Sequence, residues 1–158
     1  MPAPAPPLDV SGIYRLHVVD ERLATSGQPT EAQIAAIAAA GYRTVVNLAL
    51  HDDPRYSLPD ERATVEAVGL RYVHIPVLFG APTEADLLAF FDAMRAHSGE
   101  PLWVHCAANL RVSAFLGLWR VIELGHDRES AFAQLHELWR PDAVWAAYID
   151  AMLAQHGH

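Results

Sequence analysis

The chain carries one cysteine, Cys106, and the residues around it are those with which a thiol does chemistry. Residues 103–113 read Trp-Val-His-Cys-Ala-Ala-Asn-Leu-Arg-Val-Ser. A free thiol titrates near ~8.5; beside a helix N-terminus or a cation this falls to ~3.5–7.5, so the nucleophilic thiolate is populated at neutral pH. Residues 102–105 are apolar enough for a buried strand, and a helical run follows from about residue 111. Cys106 then occupies a strand-to-helix turn beyond the carboxyl end of a strand, where open parallel sheets bind ligands. Converging main-chain N–H groups at such a turn hold an anion. Arg111 adds a planar fork that binds two oxygens at once. Ser113 supplies a hydroxyl for the thiolate or for a departing group. Ala107, Ala108, Asn109 and Leu110 form the anion-binding loop between Cys106 and Arg111. The alanines let the main chain close around a ligand, and Asn109 tolerates a left-handed turn.

A cysteine after a strand is by itself as readily a small buried hydrophobe. His105 before it, Arg111 within the same loop and Ser113 shortly after are what favour chemistry.

The elements that position this loop follow from periodicity and caps. Residues 1–10 are Pro- and Ala-rich and read as a flexible tail; residues 11–158 read as one domain. Residues 13–19 alternate and suit a strand or a docked extended segment. A short strand over 22–27 is followed by a helix from Thr30 to Gly41. Residues 44–50 form a buried parallel strand, 51–59 a polar loop, 60–68 a helix and 70–77 a strand. Thr83-Glu-Ala-Asp86 opens a helix that runs to about His97. After the strand at 102–105, helical segments fall near 111–124, 128–139 and 142–155. Strands alternating with helices predict an α/β fold: a mainly parallel sheet of about four to five strands with helices on both faces.

Composition narrows the function. The formal net charge of −8 disfavours nucleic acid and anionic membrane as partners, though not a small anion held by a local cradle. All eleven cationic side chains are arginine, so no lysine can act as a base or form a Schiff base. One cysteine cannot make an intrachain disulfide, in keeping with a reducing compartment. The N-terminus does not read as a signal peptide and no run approaches a membrane span, so a cytoplasmic location is expected.

The His-Cys, loop, Arg, Ser segment resembles the signature of the protein tyrosine phosphatase superfamily. Arg22-Leu-Ala-Thr-Ser-Gly-Gln-Pro29, Val46-Asn-Leu48, Tyr72-Val-His-Ile-Pro-Val77 and Ala81-Pro-Thr83 are similar to the small bacterial phosphatase-like family, formerly a domain of unknown function. The likeness runs from about residue 14 to 155. It implies a cysteine-phosphatase-like fold in which Cys106 attacks phosphorus and forms a cysteinyl-phosphate. The loop N–H groups and Arg111 would hold the equatorial oxygens, His105 would orient and acidify the thiol, and water would release phosphate. The implied ligand is a phosphorylated substrate or a small oxyanion such as phosphate or sulfate.

Two features depart from that pattern. The usual loop has five residues between Cys and Arg, and here there are four. If Arg111 opens the helix, one residue less turns its side chain by about 100°. Either the loop is tighter and Arg111 still reaches the anion, or Arg111 points elsewhere. The loop expected to carry a general-acid aspartate, Val77-Leu-Phe-Gly-Ala81, holds no acid. Substitutes are Asp53, Asp52 and Glu84, with Asp86 beside it, each of which also reads as a solvated or helix-capping acid. Without a general acid, turnover of poor leaving groups falls by on the order of 10²–10⁴.

None of the nine histidines has metal-binding spacing with Cys106, so no metal and no cofactor is expected. His51 with Asp52 and Asp53 is the nearest cluster, His74 reads as a core or supporting residue, and Trp119, Trp139, Trp145 and Tyr148 suit core packing. Two alternatives stand beside a phosphatase. One is a phosphatase-fold protein that binds an anion with little turnover. The other is a rhodanese-like sulfurtransferase, whose shorter loop the four-residue interval resembles, although three helices after the loop do not. Oligomeric state is left open.

Overall fold

The computed structural model describes residues 9–158, so most of the tail expected over 1–10 lies outside the described residues. Strands β1 (His17–Val18), β2 (Leu23–Ser26), β3 (Thr44–Asn47), β4 (Arg71–His74) and β5 (Leu102–His105) form one sheet in the order β1-β2-β5-β3-β4. All neighbours are parallel except β1 and β2. The expected mainly parallel α/β sheet is present. Every residue of β3 and β5 is buried, which is why these strands are apolar without alternation. In register, Ser26 and Asn47 flank His105. Three strand ends therefore meet where the cysteine loop begins.

Side-chain caps set the helix starts. Thr30 and Gln33 form a capping box for α1 (Glu31–Ala39), and Thr83 and Asp86 do so for α3 (Glu84–Ala96). Asp60 caps α2 (Glu61–Ala67). Helices α1 and α2 cover one face of the sheet around Ile34, Ile37, Val45, Val65 and Trp103. The other face carries α3, α4 (Leu110–Ile122), α5 (Arg128–Ala131), α6 (Ala133–Leu138) and α7 (Ala143–Gln155), packed around Phe90, Phe91, Phe115, Leu118 and Trp145.

Four boundaries differ from the sequence reading, one being the strand expected over 70–77, which spans only Arg71–His74. The strand expected over 44–50 stops at Asn47, whose Oδ1 accepts from Ala49 N at 2.8 Å and turns the chain. The segment 13–19 contributes only His17–Val18 to the sheet; Ile13 is a core residue instead. The helix expected over 128–139 is two helices that meet at Phe132. The ring of Phe132 fills the space that a side chain on Gly117 would need. Packing against the bare face of α4 thus outweighs continuous helix.

Candidate active site

Cys106 follows β5 directly and is fully buried. Its N–H donates to Ser26 O at 3.4 Å, extending the ladder by one residue. From there the chain turns outward from the sheet. Gln28 N–H donates to Ala107 O at 3.0 Å, and Gly27 bridges Ala108. Asn109 takes the left-handed conformation, φ 63°, as the residue before α4. That conformation is costly for a residue with a side chain, and the side chain offsets the cost. Its Nδ2 donates to Arg15 O at 3.0 Å and to Thr25 Oγ1 at 3.1 Å. Thr25 Oγ1 also accepts from Gln134 on α6, at 2.9 Å, and donates to His17 O. The loop is therefore pinned by segments from both ends of the chain.

With the Ala107 carbonyl occupied from outside and the Gly27 bridge drawing on the 108–109 main chain, the N–H groups of residues 107 and 110–112 have no acceptor among the described residues; the next one, Ser113 N, closes the helix onto Asn109 O. Four such donors at the mouth of a helix can make a cradle for an oxyanion, and the helix dipole adds to its pull.

Arg111 stands in the first turn of α4 and is nearly buried. Its Nη1 donates to Val77 O at 2.8 Å, and its guanidinium lies 5.8 Å from the Phe79 ring centroid. One of its five N–H groups is thus committed to the loop after β4, and four remain for an anion. That loop is held from the other side as well, because Trp145 Nε1 donates to Phe79 O at 2.7 Å. Ser113 donates to Leu110 O at 2.8 Å and accepts from Trp139 Nε1 at 3.2 Å, so its proton is engaged away from the thiol.

Sequence reasoning missed Glu61. It is the first residue of α2, yet it is fully buried, with Oε2 2.7 Å from His105 Nε2. Its other oxygen accepts from Gln28 Nε2 at 2.7 Å. Burial opposes the charged carboxyl, but the positive charge and hydrogen bond of His105, with hydrogen bonds from Gln28 and Tyr72, outweigh it. They hold Glu61 below the ordinary value of 4.5. The sign for stability follows. The contribution is complete above that ordinary value and is lost as pH falls through the lower folded value. Urea midpoints of wild type and Glu61→Gln, measured from about pH 3 to pH 7, should converge at the acid end. A gap of constant size throughout would show that Glu61 is not charged in the folded state.

A family model described as "DSP-PTPase phosphatase fused to NAD+ Kinase" matches residues 16–143. The chain belongs to this DSP-PTPase phosphatase family. Among solved structures, a putative phosphatase from Shewanella putrefaciens CN-32 superposes with a TM-score of 0.83 at 32% identity, covering 94% of this chain and 97% of that one. TpbA from P. aeruginosa, solved with pTyr, shares the fold with a TM-score of 0.69 at 20% identity, over 96% of this chain and 94% of its own. A beta-lactamase hydrolase-like protein of Xylella fastidiosa is 34% identical over 126 residues, which is 77% of this chain and 29% of that protein. The chain thus spans under a third of the length of that curated relative.

Within the DSP-PTPase frame, the three candidate acids fare differently. Asp53 is chelated by Arg55, whose Nη2 lies 2.8 Å from Oδ2, and those bonds lower its pKa. Glu84 faces His156 at 3.5 Å in the first turn of α3. Asp52 is exposed and makes no hydrogen bond or ion pair among the described residues. His51 is turned from both aspartates toward Tyr72, with Nε2 3.2 Å from the hydroxyl. His74 donates to Ala49 O at 2.6 Å. Among the described residues no three His, Cys, Asp or Glu side chains are grouped to hold a metal, and no helix is long and apolar enough to cross a membrane.

Gly27 is the tightest point of the cysteine loop's support. A Cβ there would lie 2.7 Å from Ala107 O and 2.6 Å from the Tyr14 ring. Gly27→Ala must push the loop carbonyl inward, and a shift of about 1 Å at a reacting centre costs roughly 10²-fold in rate. Aryl phosphate hydrolysis by Gly27→Ala, with far-ultraviolet circular dichroism as a check on folding, measures it; a folded variant of wild-type rate would mean the loop yields elsewhere.

Proposed function

We propose that this chain is a cysteine-dependent phosphomonoesterase that works through a cysteinyl-phosphate despite its short loop. The observation that carries the reading is the set of unpaired N–H groups at residues 107 and 110–112, in the loop and first helical turn that follow Cys106. A phosphoryl group in that cradle places phosphorus against Cys106 Sγ. The thiolate attacks, the S–P bond forms and the ester oxygen departs with its electron pair. The free N–H groups, with Ala107, Ala108, Asn109 and Leu110 as the anion-binding loop, stabilise the three equatorial oxygens as charge builds on them. Arg111 adds its uncommitted donors. Water then cleaves the S–P bond, releasing phosphate and restoring the thiolate.

The leaving oxygen needs a proton unless it is itself a good leaving group. Asp52 is the acid that no other side chain engages, and it is the candidate for that step. Efficient turnover is therefore expected first on aryl phosphates, whose leaving groups need least help. A phosphorylated aromatic substrate also suits the fold neighbour TpbA, solved with pTyr. The polypeptide is placed in the cytoplasm by this reading, with residues 11–158 as the catalytic domain.

The test is hydrolysis of an activated aryl phosphate between about pH 5 and pH 8, with a quench that captures the covalent intermediate. Mass spectrometry should find one phosphoryl group on the peptide that contains Cys106. Inorganic phosphate bound with no turnover would favour an anion-binding protein. Sulfur moved from thiosulfate to cyanide would favour a sulfurtransferase.

A further inference from the structure

His105 lies between Cys106 and Glu61, and hydrogen-bond bookkeeping settles what it carries. Nε2 faces the Glu61 carboxylate at 2.7 Å. Nδ1 faces the main-chain carbonyl of Cys106 at 3.3 Å. With Glu61 ionised both neighbours are acceptors, and the two contacts are filled together when each ring nitrogen carries a proton. The ring and the carboxylate are completely excluded from water. A buried charge of either sign alone is costly, and each is tolerated here because the other is present.

We propose that Glu61 is a positioning residue for Cys106: it keeps His105 doubly protonated, and the imidazolium so held favours the Cys106 thiolate. The inference rests on the phosphatase reading for its purpose, but not for its evidence. His105 Nδ1 meets the Cys106 carbonyl and Nε2 meets Glu61, so the ring, the positive end of the pair, is the end nearer the Cys106 main chain. On ionisation the thiol proton goes to solvent, and neither His105 nor Glu61 gains or loses one.

The surroundings fit this assignment. Gln28 Nε2 saturates the second carboxylate oxygen, while its main-chain N–H holds Ala107 O. The same residue thus fixes both the acid and the loop. Tyr72 of β4 faces Glu61 and accepts from Asn47 Nδ2 at 3.0 Å. The other ionisable groups nearby are His51 and His74, which face Tyr72, and Arg62, over the Tyr72 ring at 5.0 Å. None of these three has a hydrogen bond to His105. Arg111 is anchored to Val77 O.

Because the chain has one cysteine, thiolate absorbance in the ultraviolet reports Cys106 alone. Glu61→Gln keeps the shape and an acceptor but removes the charge. Its thiol should titrate at least about one unit higher than wild type, a tenfold smaller thiolate fraction on the acid side. In the variant, the acid limb of kcat/KM for an aryl phosphate should move by the same amount, with recovery toward the wild-type plateau at high pH. A merely structural role would lower the rate at every pH and leave the thiol titration in place, and that result overturns the proposal. Should the variant not fold, nitrogen chemical shifts of His105 in the wild-type protein decide. Two protonated ring nitrogens at neutral pH support the assignment, and a single neutral tautomer sinks it. A shifted thiol in a protein that hydrolyses nothing would leave the Glu61 device standing and remove the phosphatase reading.

Discussion

Cys106→Ser is expected to reduce aryl phosphate hydrolysis by at least about 10⁴-fold, to the background of the uncatalysed reaction. A serine hydroxyl does not ionise near neutral pH, so the nucleophile is lost while the shape is kept. Nothing else in the chain can replace it, since there is no second thiol. The cradle should survive, because its donors are main-chain N–H groups fixed by Gln28, Asn109 and Ser26. Phosphate or vanadate should therefore still bind the variant with an affinity near that of wild type. Loss of turnover with retained anion binding separates the role of the sulfur from that of the loop. Residual hydrolysis at the wild-type rate would show that the thiol is not the nucleophile and that the loop serves some other chemistry.

Arg111→Ala is expected to cost about 10²–10³ in kcat/KM, the usual loss when one donor to a developing oxyanion is removed. Arg111→Lys should recover little of it. An ammonium is a point charge without the planar fork, and it cannot hold Val77 O and reach the anion together. With four residues rather than five between Cys106 and Arg111, the direction of this side chain decides whether the short loop works. The contact with Val77 O uses one N–H and brings the guanidinium beneath the loop that follows β4. If both variants turn over as wild type does, Arg111 serves only to tie that loop down, and the main-chain cradle bears the anion alone.

The position of the cysteine loop was legible because its elements are local. The apolar run of β5, the small residues after it and the helix that follows are all read within a dozen positions. The left-handed turn falls at Asn109, one of the few residue types that tolerate it. Glu61 was not legible for a physical reason. An acid just after an Asp cap is what any helix start favours, so its type carries no sign of burial. The one hint is its spacing of four from Val65, the other buried position of α2. Its partner His105 is 44 residues away, and only the parallel register that sets β5 beside β3 brings the two together. The break at Phe132 was hidden likewise. It depends on the bare surface at Gly117, which belongs to another helix. That the loop after β4 holds no carboxylate was legible from its residues; that its carbonyls are taken by Arg111 and Trp145, from two distant helices, was not.

The anion loop borrows its shape from residues as far apart as Arg15, Gln28, Glu61 and Gln134. No short stretch of the unfolded chain can imitate it. On the proposed reading an oxyanion binds only the completed fold, and mass action would convert occupancy into resistance to unfolding: at a hundred times Kd the gain is about 2.7 kcal/mol. A site assembled in this way makes the melting temperature of the whole domain a gauge of how full one small loop is.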